Sequence, residues 1–267
     1  MPEISERHGA RQSLEADLAL LQAAAGEAGE IANRYFRKNP DVWYKDGKSP
    51  VSEADLAVDR FLEAELVGAR PDFGWLSEET AQLKDQNISG KYFVVDPIDG
   101  TRAFLKGLPT WCISVALVED GRPVAGVLNC PARNELYVAT CGSGARLNGK
   151  LIKVGDAGHE PTIAGPDSMV DALPAKFRKS VNRHPYIPSL AYRIAMVANG
   201  SLDATFVRPS AHDWDIAAAD LLLREAGGAI KMADGKPPRY GVAGARQGAM
   251  VAGSGKLLDR LLVTMSP

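Results

Sequence analysis

The sequence predicts an α+β fold in which helices and sheets alternate. The chain opens with two helical segments, continues with short strand segments separated by turns, and returns to mixed helix and strand signals after residue 160. With 267 residues, of which 45% are hydrophobic, it is long enough to bury a large core.

The helical opening is predicted from an apolar stripe over residues 14–35. Leucine, alanine and tyrosine recur there at alternating steps of four and three residues, which is the spacing of one helix face, and the Asn-Pro pair at 39–40 is expected to close the helix. After a polar turn at 45–50, Ser52 stands three residues before Asp55 and is expected to cap a second helix.

Five strand segments follow in the middle of the chain. They are short runs rich in β-branched and aromatic residues, and turn pairs such as Asp120-Gly121 and Asn148-Gly149 separate strands of this kind. This pattern predicts a mostly antiparallel sheet. The runs lie at residues 73–76, 92–95, 113–118, 123–128 and 135–139.

The last part of the chain carries mixed signals. Short apolar runs near residues 162 and 205 alternate with helices predicted at 190–198 and 213–226, and Gly227-Gly228 is expected to end the second of these. This alternation favours a second set of strands and helices.

Charge and composition exclude several classes of partner. The chain has 31 Lys and Arg against 33 Asp and Glu, a net charge of −2, whereas nucleic acids and anionic membranes select a basic excess. Its first residues are charged and no run of about 18 apolar residues occurs, so we expect no signal peptide, no membrane span and a cytoplasmic location. The three cysteines lie outside any CxxC spacing and are expected to be reduced and structural.

The most informative segment is 92–104, an apolar strand that runs into two carboxylates. Asp96 and Asp99 are separated by a Pro-Ile pair whose bend would let both converge on one cation that prefers oxygen ligands. Gly100 and Thr101 would place free backbone N–H groups at the start of the next helix, where a phosphate could bind. An isolated Asp-Pro or Asp-Gly pair is usually part of a turn. Because both pairs here directly follow one buried strand, they favour a metal site beside a phosphate site.

Two further acidic segments could bind a metal, but each also has an ordinary structural explanation. Glu78 and Glu79 follow the strand run at 73–76 and could enter a cleft, although such a pair is more often a solvated loop. Asp213 and Asp215 open the last predicted helix, where a lone aspartate is more often a cap than a metal ligand.

Taken together, these motifs resemble the inositol monophosphatase family, and they occur in the family's order. They are Ser-Pro-Val-Ser-x-x-Asp at 49–55, Glu-Glu at 78–79, Asp-Pro-Ile-Asp-Gly-Thr at 96–101, the glycine-rich hairpin at 142–149, and Trp-Asp-x-Ala-Ala to Glu-Ala-Gly-Gly at 214–228. Residues 1–40 and 229–267 match only loosely. The resemblance implies a layered αβαβα sandwich of the inositol monophosphatase and fructose-1,6-bisphosphatase type, lithium sensitivity and a homodimer.

The resemblance also implies roles for individual residues. Asp96 would bridge two of two or three Mg²⁺ ions, and Thr101 with Asp55 would orient the attacking water, so that Asp55, Glu78 and Thr101 are the expected catalytic residues. The expected magnesium ligands are Glu78, Asp96, the backbone carbonyl of Ile98, Asp99 and Asp215. The expected substrate contacts are Gly100, Thr101, Ser189, Ala191 and Arg208.

The domain division follows from a stretch rich in glycine, proline and polar residues at 155–166. We expect an N-terminal α+β subdomain at 1–158 with most metal ligands, and a C-terminal α/β subdomain at 159–267 with the last ligand and the substrate contacts.

The substrate is the least determined part. Members that act on inositol carry a glutamate seven residues before the last metal ligand, and Arg208 stands there in this chain. The segment 189–192 resembles the 3'(2'),5'-bisphosphate nucleotidase branch. Inositol monophosphate and 3'-phosphoadenosine 5'-phosphate are the expected substrates, with fructose 1,6-bisphosphate, histidinol phosphate or a non-catalytic regulatory role as alternatives. The sequence contains neither a GxSxG nor a CxxxxxR motif, so nothing points to a serine or cysteine hydrolase. His212, three residues before Asp215, is expected to pack or to form a hydrogen bond.

Overall fold

The computed structural model describes residues 2–45, 49–80, 89–242 and 246–265. The tip of the polar turn expected near 45–50 lies outside these ranges. The helices are α1 Pro2–Tyr35, α2 Glu53–Ala69, α3 Thr101–Leu105, α4 Asp167–Asp171, α5 Ala175–Arg178, α6 Leu190–Ala198, α7 Asp213–Glu225 and α8 Gly255–Val263. The early strands are β1 Val42–Lys45, β2 Ser49–Ser52, β3 Gly74–Ser77, β4 Lys91–Asp99, β5 Cys112–Glu119, β6 Arg122–Cys130 and β7 Glu135–Thr140. The later strands are β8 Ala145–Leu147, β9 Lys150–Ile152, β10 Thr162–Ala164, β11 Asn182–Arg183, β12 Ala204–Val207, β13 Ala229–Met232 and β14 Met250–Gly253.

Strands β3 to β9 form a seven-stranded sheet in chain order. Only β3 and β4 pair in parallel among these strands, so the expectation of a mostly antiparallel sheet is confirmed. The predicted turn pairs have left-handed backbone, with φ of 50° and 74° at Asp120-Gly121 and 48° and 80° at Asn148-Gly149. These values are those of tight hairpin turns whose twist matches the strands.

The elements stack in five layers. Helices α1 and α2 pack on one face of the seven-stranded sheet, where Phe93 and Val95 of β4 point. Tyr92 and Val94 point to the other face and contact the layer formed by α6 and α7, because successive side chains of a strand alternate between faces. A five-stranded sheet in the order β11-β10-β12-β14-β13 packs beyond that layer, and α4, α5 and α8 cover its outer face. The order is αβαβα, as expected.

Helix α7 lies unusually close to the seven-stranded sheet at Gly126 of β6. A Cβ atom added to Gly126 would stand 3.2 Å from the Cα atom of Ala218 and 3.3 Å from its carbonyl oxygen. Small residues on both elements therefore set the depth at which α7 packs.

Two local features differ from the sequence prediction. Helix α1 begins at Pro2 rather than near residue 14. Strands β1 and β2, which flank the polar segment at 45–50, pair as antiparallel neighbours, with Trp43 opposite Val51 and Tyr44 opposite Pro50. A four-residue strand with exposed Trp43 and Tyr44 side chains has no clear period-2 pattern, so no strand is predicted there from the residues alone.

The division at residues 158 and 159 stays a prediction. The seven-stranded sheet ends with β9 before this point and the other sheet begins with β10 after it, but α6 and α7 pack against both sheets. None of the helices described is long and apolar enough to cross a membrane.

Candidate active site

Three carboxylates converge at one end of the seven-stranded sheet. Asp96, Asp99 and Asp215 each place one carboxylate oxygen within 4.8 Å of the others. We call these three residues the carboxylate trio. They line a cavity of about 190 Å³, together with Glu78, Thr101 and others.

A bulge in β4 brings Asp96 and Asp99 together. Asp96 pairs with Ser114 of β5 and Asp99 with Cys112, so three steps on β4 oppose two on β5. Side chains three residues apart point to opposite faces of a regular strand, but one extra residue reverses the second of them. The Pro-Ile pair between the aspartates supplies this residue, which confirms the expected bend.

The N-terminus of α6 holds the Asp99 carboxylate. Asp99 accepts hydrogen bonds from the Ser189 hydroxyl at 2.5 Å and from the backbone N–H groups of Leu190 at 3.2 Å and Ala191 at 2.7 Å. Ser189 and Ala191 are fully buried. The structure therefore places these two expected substrate contacts behind a carboxylate, where they fix its orientation, rather than at the cavity surface.

Asp215 combines a capping role with its place in the trio. It lies in the first turn of α7 and accepts a hydrogen bond from the backbone N–H of His212 at 2.7 Å. The His212 ring stacks on Trp214 with ring centroids 4.4 Å apart, which agrees with the packing role expected for it. The capping and metal-site alternatives for Asp215 are thus compatible.

Asp213 serves the fold and is not part of the trio. Its carboxylate accepts hydrogen bonds from the backbone N–H of Gly241 at 2.7 Å and from the Gln247 side chain at 3.0 Å. It thereby ties the start of α7 to the segment before β14.

Glu78 stands at the edge of the trio, after β3. The Lys45 ammonium lies 3.9 Å from the Glu78 carboxylate and 2.6 Å from that of Glu79, and it donates to the Glu78 carbonyl at 3.1 Å. The Glu79 side chain is only 2% exposed, while that of Glu78 is 24% exposed. Lys45 thus neutralises mainly Glu79 and leaves Glu78 facing the cavity. Lys45 is not among the residues predicted from the sequence to lie at the site.

The electrostatics of this end of the cavity favour a bound cation. Burial raises the pKa of Asp215 to about 7, and the Asp99 charge adds to the effect. Burial, followed by the charge of Asp215, raises the pKa of Glu78 to about 8. Burial and the neighbouring carboxylates also raise the pKa of Asp96. Like charges held together in this way are stabilised by an opposite charge between them.

The donor set fits Mg²⁺. All the groups that converge are hard oxygen donors, and among the described residues no histidine or cysteine joins the trio, whereas zinc sites use nitrogen and sulfur. The backbone carbonyl of Ile98, which is expected to be a ligand, lies between Asp96 and Asp99 and accepts a hydrogen bond from Thr101 at 3.1 Å. A carbonyl oxygen has a second lone pair for a cation.

Thr101 and Asp55 lie together although 46 residues separate them. The Thr101 hydroxyl is 3.3 Å from Asp55 Oδ1. Asp55 Oδ2 accepts from the backbone N–H of Ser52 at 2.8 Å and from its hydroxyl at 2.5 Å. Ser52 is the N-cap of α2, as expected, and Asp55 at the third helical position completes the capping box while it also contacts Thr101.

Gly100 must be a glycine for two reasons. Its φ is 95°, in the left-handed region that favours glycine, and a Cβ there would lie 2.9 Å from Ser189 Cβ and 3.0 Å from the Thr110 carbonyl oxygen. It lines the cavity, and its contact with substrate stays a prediction. The helix that follows, α3, is only five residues long.

A second compartment of about 280 Å³ adjoins the first, and both are lined by Tyr186, Asp99 and Asp215. Arg208, an expected substrate contact, lines this second compartment, and so does Arg193. Arg193 and Tyr186 are not among the residues predicted from the sequence to lie at the site. The available signal for Arg193 was a single arginine in the otherwise apolar helix α6.

An αβαβα sandwich with a carboxylate cluster at a strand end defines the class of metal-dependent phosphatases to which the sequence motifs pointed. Residues 13–265 match the inositol monophosphatase family, and the chain belongs to that family.

Individual relatives agree with this assignment. The chain is 34% identical over 261 residues to the "Nus factor SuhB" of Xylella fastidiosa, covering 91% of each chain. It is 33% identical over 239 residues to the inositol-1-monophosphatase of Mesorhizobium japonicum, covering 82% of this chain and 86% of the relative. Among solved structures, the extragenic suppressor protein suhB from Bartonella henselae has a TM-score of 0.81 at 30% identity, covering 94% of this chain and 98% of that one.

Proposed function

We propose that this protein is a Mg²⁺-dependent phosphomonoesterase that hydrolyses a small phosphorylated metabolite by attack of water. The observation that carries the proposal is the convergence of Asp96, Asp99 and Asp215 at one cavity wall, with the Thr101–Asp55 pair beside it. No covalent enzyme intermediate is required, because water can serve as the nucleophile.

The trio and Glu78 would hold two or three Mg²⁺ ions. The distances support one position between Asp96, Asp99 and Asp215. Glu78 and Asp96 would share another, with the Ile98 carbonyl as a further ligand. When bound, the ions neutralise the phosphoryl oxygens and acidify a water molecule.

The protein's own part in the reaction is to orient water and the ester. The single hydroxyl proton of Thr101 is donated to Asp55 Oδ1 or to the Ile98 carbonyl, so the lone pairs of Thr101 Oγ1 are available to accept a hydrogen bond from water. Asp55, which is 2% exposed, fixes the threonine rotamer. Such positioning of a nucleophile lowers the barrier without any charge on the positioning group.

The test is phosphate release from four esters in the presence of Mg²⁺. The panel contains myo-inositol 1-phosphate, 3'-phosphoadenosine 5'-phosphate, fructose 1,6-bisphosphate and histidinol phosphate, each with and without Li⁺. We expect release from at least one ester, its loss with a chelator, and inhibition by Li⁺. The Asp96→Asn variant serves as the inactive control.

Inactivity on every ester, with Mg²⁺ bound, would contradict the proposal. It would favour the second candidate, a regulatory protein on a phosphatase scaffold. The reason to keep this candidate is that the relative from Xylella fastidiosa is named a Nus factor.

A further inference from the structure

The second compartment holds a buried guanidinium without an ion-pair partner. Arg193 is 6% exposed. Its two terminal nitrogens donate to the carbonyls of Ile187 at 3.2 Å and Phe206 at 3.1 Å, but its Nε has no hydrogen-bond partner. No carboxylate of the described residues lies within 4.0 Å of it. Burial lowers its pKa, and the charge of Asp99 only partly opposes this.

Such a group is costly unless an anion completes the site. Burying a charged side chain without a partner of opposite charge destabilises the folded state. The carbonyl contacts of Arg193 satisfy two of its donors but carry no full negative charge. Since Arg193 lines a cavity rather than a closed core, a ligand can reach that region.

A second cation lines the same compartment. Arg208 follows the end of β12 and is exposed, and its charge acts on Arg193. No ion pair of Arg208 occurs among the described residues. Asp99 and Asp215 also line this compartment, but in the proposed function both are ligands whose charge the metal neutralises. With the metals in place, the compartment is therefore cationic.

We infer that Arg193 and Arg208 bind a second phosphate on the alcohol half of the substrate, so that the substrate class is a bisphosphate. This inference rests on the proposed phosphatase function and adds the substrate class. The planar fork of a guanidinium matches phosphate oxygens in geometry and charge. The scissile phosphate would lie at the trio, and the second phosphate in the adjoining compartment.

The test compares matched esters that differ only in the second phosphate. One pair is 3'-phosphoadenosine 5'-phosphate and adenosine 3'-phosphate, and the other is fructose 1,6-bisphosphate and fructose 1-phosphate. We expect the unaltered enzyme to prefer the bisphosphate of at least one pair by at least about 10-fold in kcat/KM, which corresponds to about 1.4 kcal/mol. The pair that shows the preference identifies whether a nucleoside or a sugar carries the phosphates.

Arg208→Gln isolates the exposed arginine without disturbing the buried one. We expect this variant to lose most of the preference, because its KM should rise more for the bisphosphate than for the monophosphate of the same pair. Arg208→Lys keeps the charge and should retain part of the preference. Arg122→Gln is the matched control, because Arg122 is an exposed arginine at the other end of β6, paired with Glu119 rather than near the trio.

A binding measurement separates the two possible failures. Adenosine 5'-phosphate and fructose 6-phosphate carry only the second phosphate, and calorimetric titration measures their binding to the Mg²⁺-loaded protein without turnover. If no ester is hydrolysed, the phosphatase proposal fails, while tighter binding to the unaltered protein than to Arg208→Gln still supports the anion site. Equal kcat/KM within both pairs, or binding that Arg208→Gln leaves unchanged, would overturn the bisphosphate inference and leave the phosphatase proposal standing.

Discussion

The Ser189 hydroxyl donates a 2.5 Å hydrogen bond to the Asp99 carboxylate, joining residues that are 90 positions apart. The bond links the N-terminus of α6, in the middle helical layer, to the end of β4. Because the two adjacent backbone N–H groups also donate to Asp99, this carboxylate has its orientation fixed before any metal binds. The carboxylate trio is thus preorganised by the second half of the chain.

Replacing Ser189 by alanine should weaken metal binding while the fold is kept. The change removes one of four hydrogen bonds to Asp99, the others coming from two backbone N–H groups and the Cys112 thiol. Loss of such a supporting contact costs about 10- to 100-fold in metal affinity. Calorimetric titration with Mg²⁺ measures the effect. Ser180→Ala, which removes a hydroxyl bonded only to the Phe177 carbonyl, should bind Mg²⁺ normally. Equal affinities in the two variants would show that Asp99 does not depend on Ser189.

Asp96→Asn should abolish metal binding and activity without unfolding the protein. It removes the charge of the proposed bridging ligand and preserves the volume, so we expect a loss of at least about 100-fold in turnover. Phosphate release, Mg²⁺ titration and circular dichroism are the measurements. Asp220→Asn removes a buried carboxylate outside the trio and is the matched control. Near-normal turnover in Asp96→Asn would refute the bridging role.

Thr101→Val should slow turnover but leave metal affinity nearly unchanged. Valine keeps the shape of the side chain and removes the hydroxyl that contacts Asp55. We therefore expect kcat to fall by about 10²- to 10⁴-fold, the range for residues that take part in proton transfer. Thr101→Ser keeps the hydroxyl and should retain most activity. A matching loss of Mg²⁺ affinity in Thr101→Val would instead assign the residue a structural role at the metal site.

Gly100→Ala should destabilise the protein beyond the ordinary cost of left-handed backbone. That cost is about 1–2 kcal/mol for a residue with a Cβ, and the new methyl would also press against Ser189 and the Thr110 carbonyl. Gly149→Ala is the control, since Gly149 has a φ of 80° but open space around its Cβ position. Urea unfolding gives the two free energies. The prediction fails if the two variants lose the same stability.

Asp220 should make the protein less stable as the pH rises. Burial raises its pKa to about 6, although Arg224 and a hydrogen bond from Tyr240 oppose the shift. The folded state therefore holds a proton that the unfolded state releases near pH 4, so the contribution is full below that pH and is lost through pH 6. A shift of this size corresponds to about 3 kcal/mol. The stability of Asp220→Asn relative to the unaltered protein should rise by about that amount between pH 4 and pH 7.5. Urea unfolding at both pH values measures it, and a difference independent of pH would contradict it.

The sequence predicted best what local patterns determine. Helix α6 was placed correctly at 190–198 because its apolar residues and the capping Ser189 are adjacent in the chain. The bend between Asp96 and Asp99 was found because a proline lies between them. The αβαβα order and the family came from motif order, which is also a property of the chain itself.

What the sequence could not predict arises from contacts between distant segments. The partners of Lys45 are 33 and 34 residues away, and nothing at residue 45 identifies them. Ser189 and Ala191 were expected at the substrate because they stand in a motif, whereas burial against Asp99 depends on how α6 meets β4. Arg193 was overlooked because a lone arginine in an apolar helix has many ordinary explanations.

The position of α6 and α7 between the two sheets determines how the protein unfolds. Both sheets bury their inner faces on these two helices, and the start of α7 supplies Asp215 to the trio. Neither sheet can separate without exposing the apolar surface of these helices to water. Heat should therefore unfold the chain in one cooperative transition, seen as a single calorimetric peak. The ability to bind metal should be lost at the same temperature.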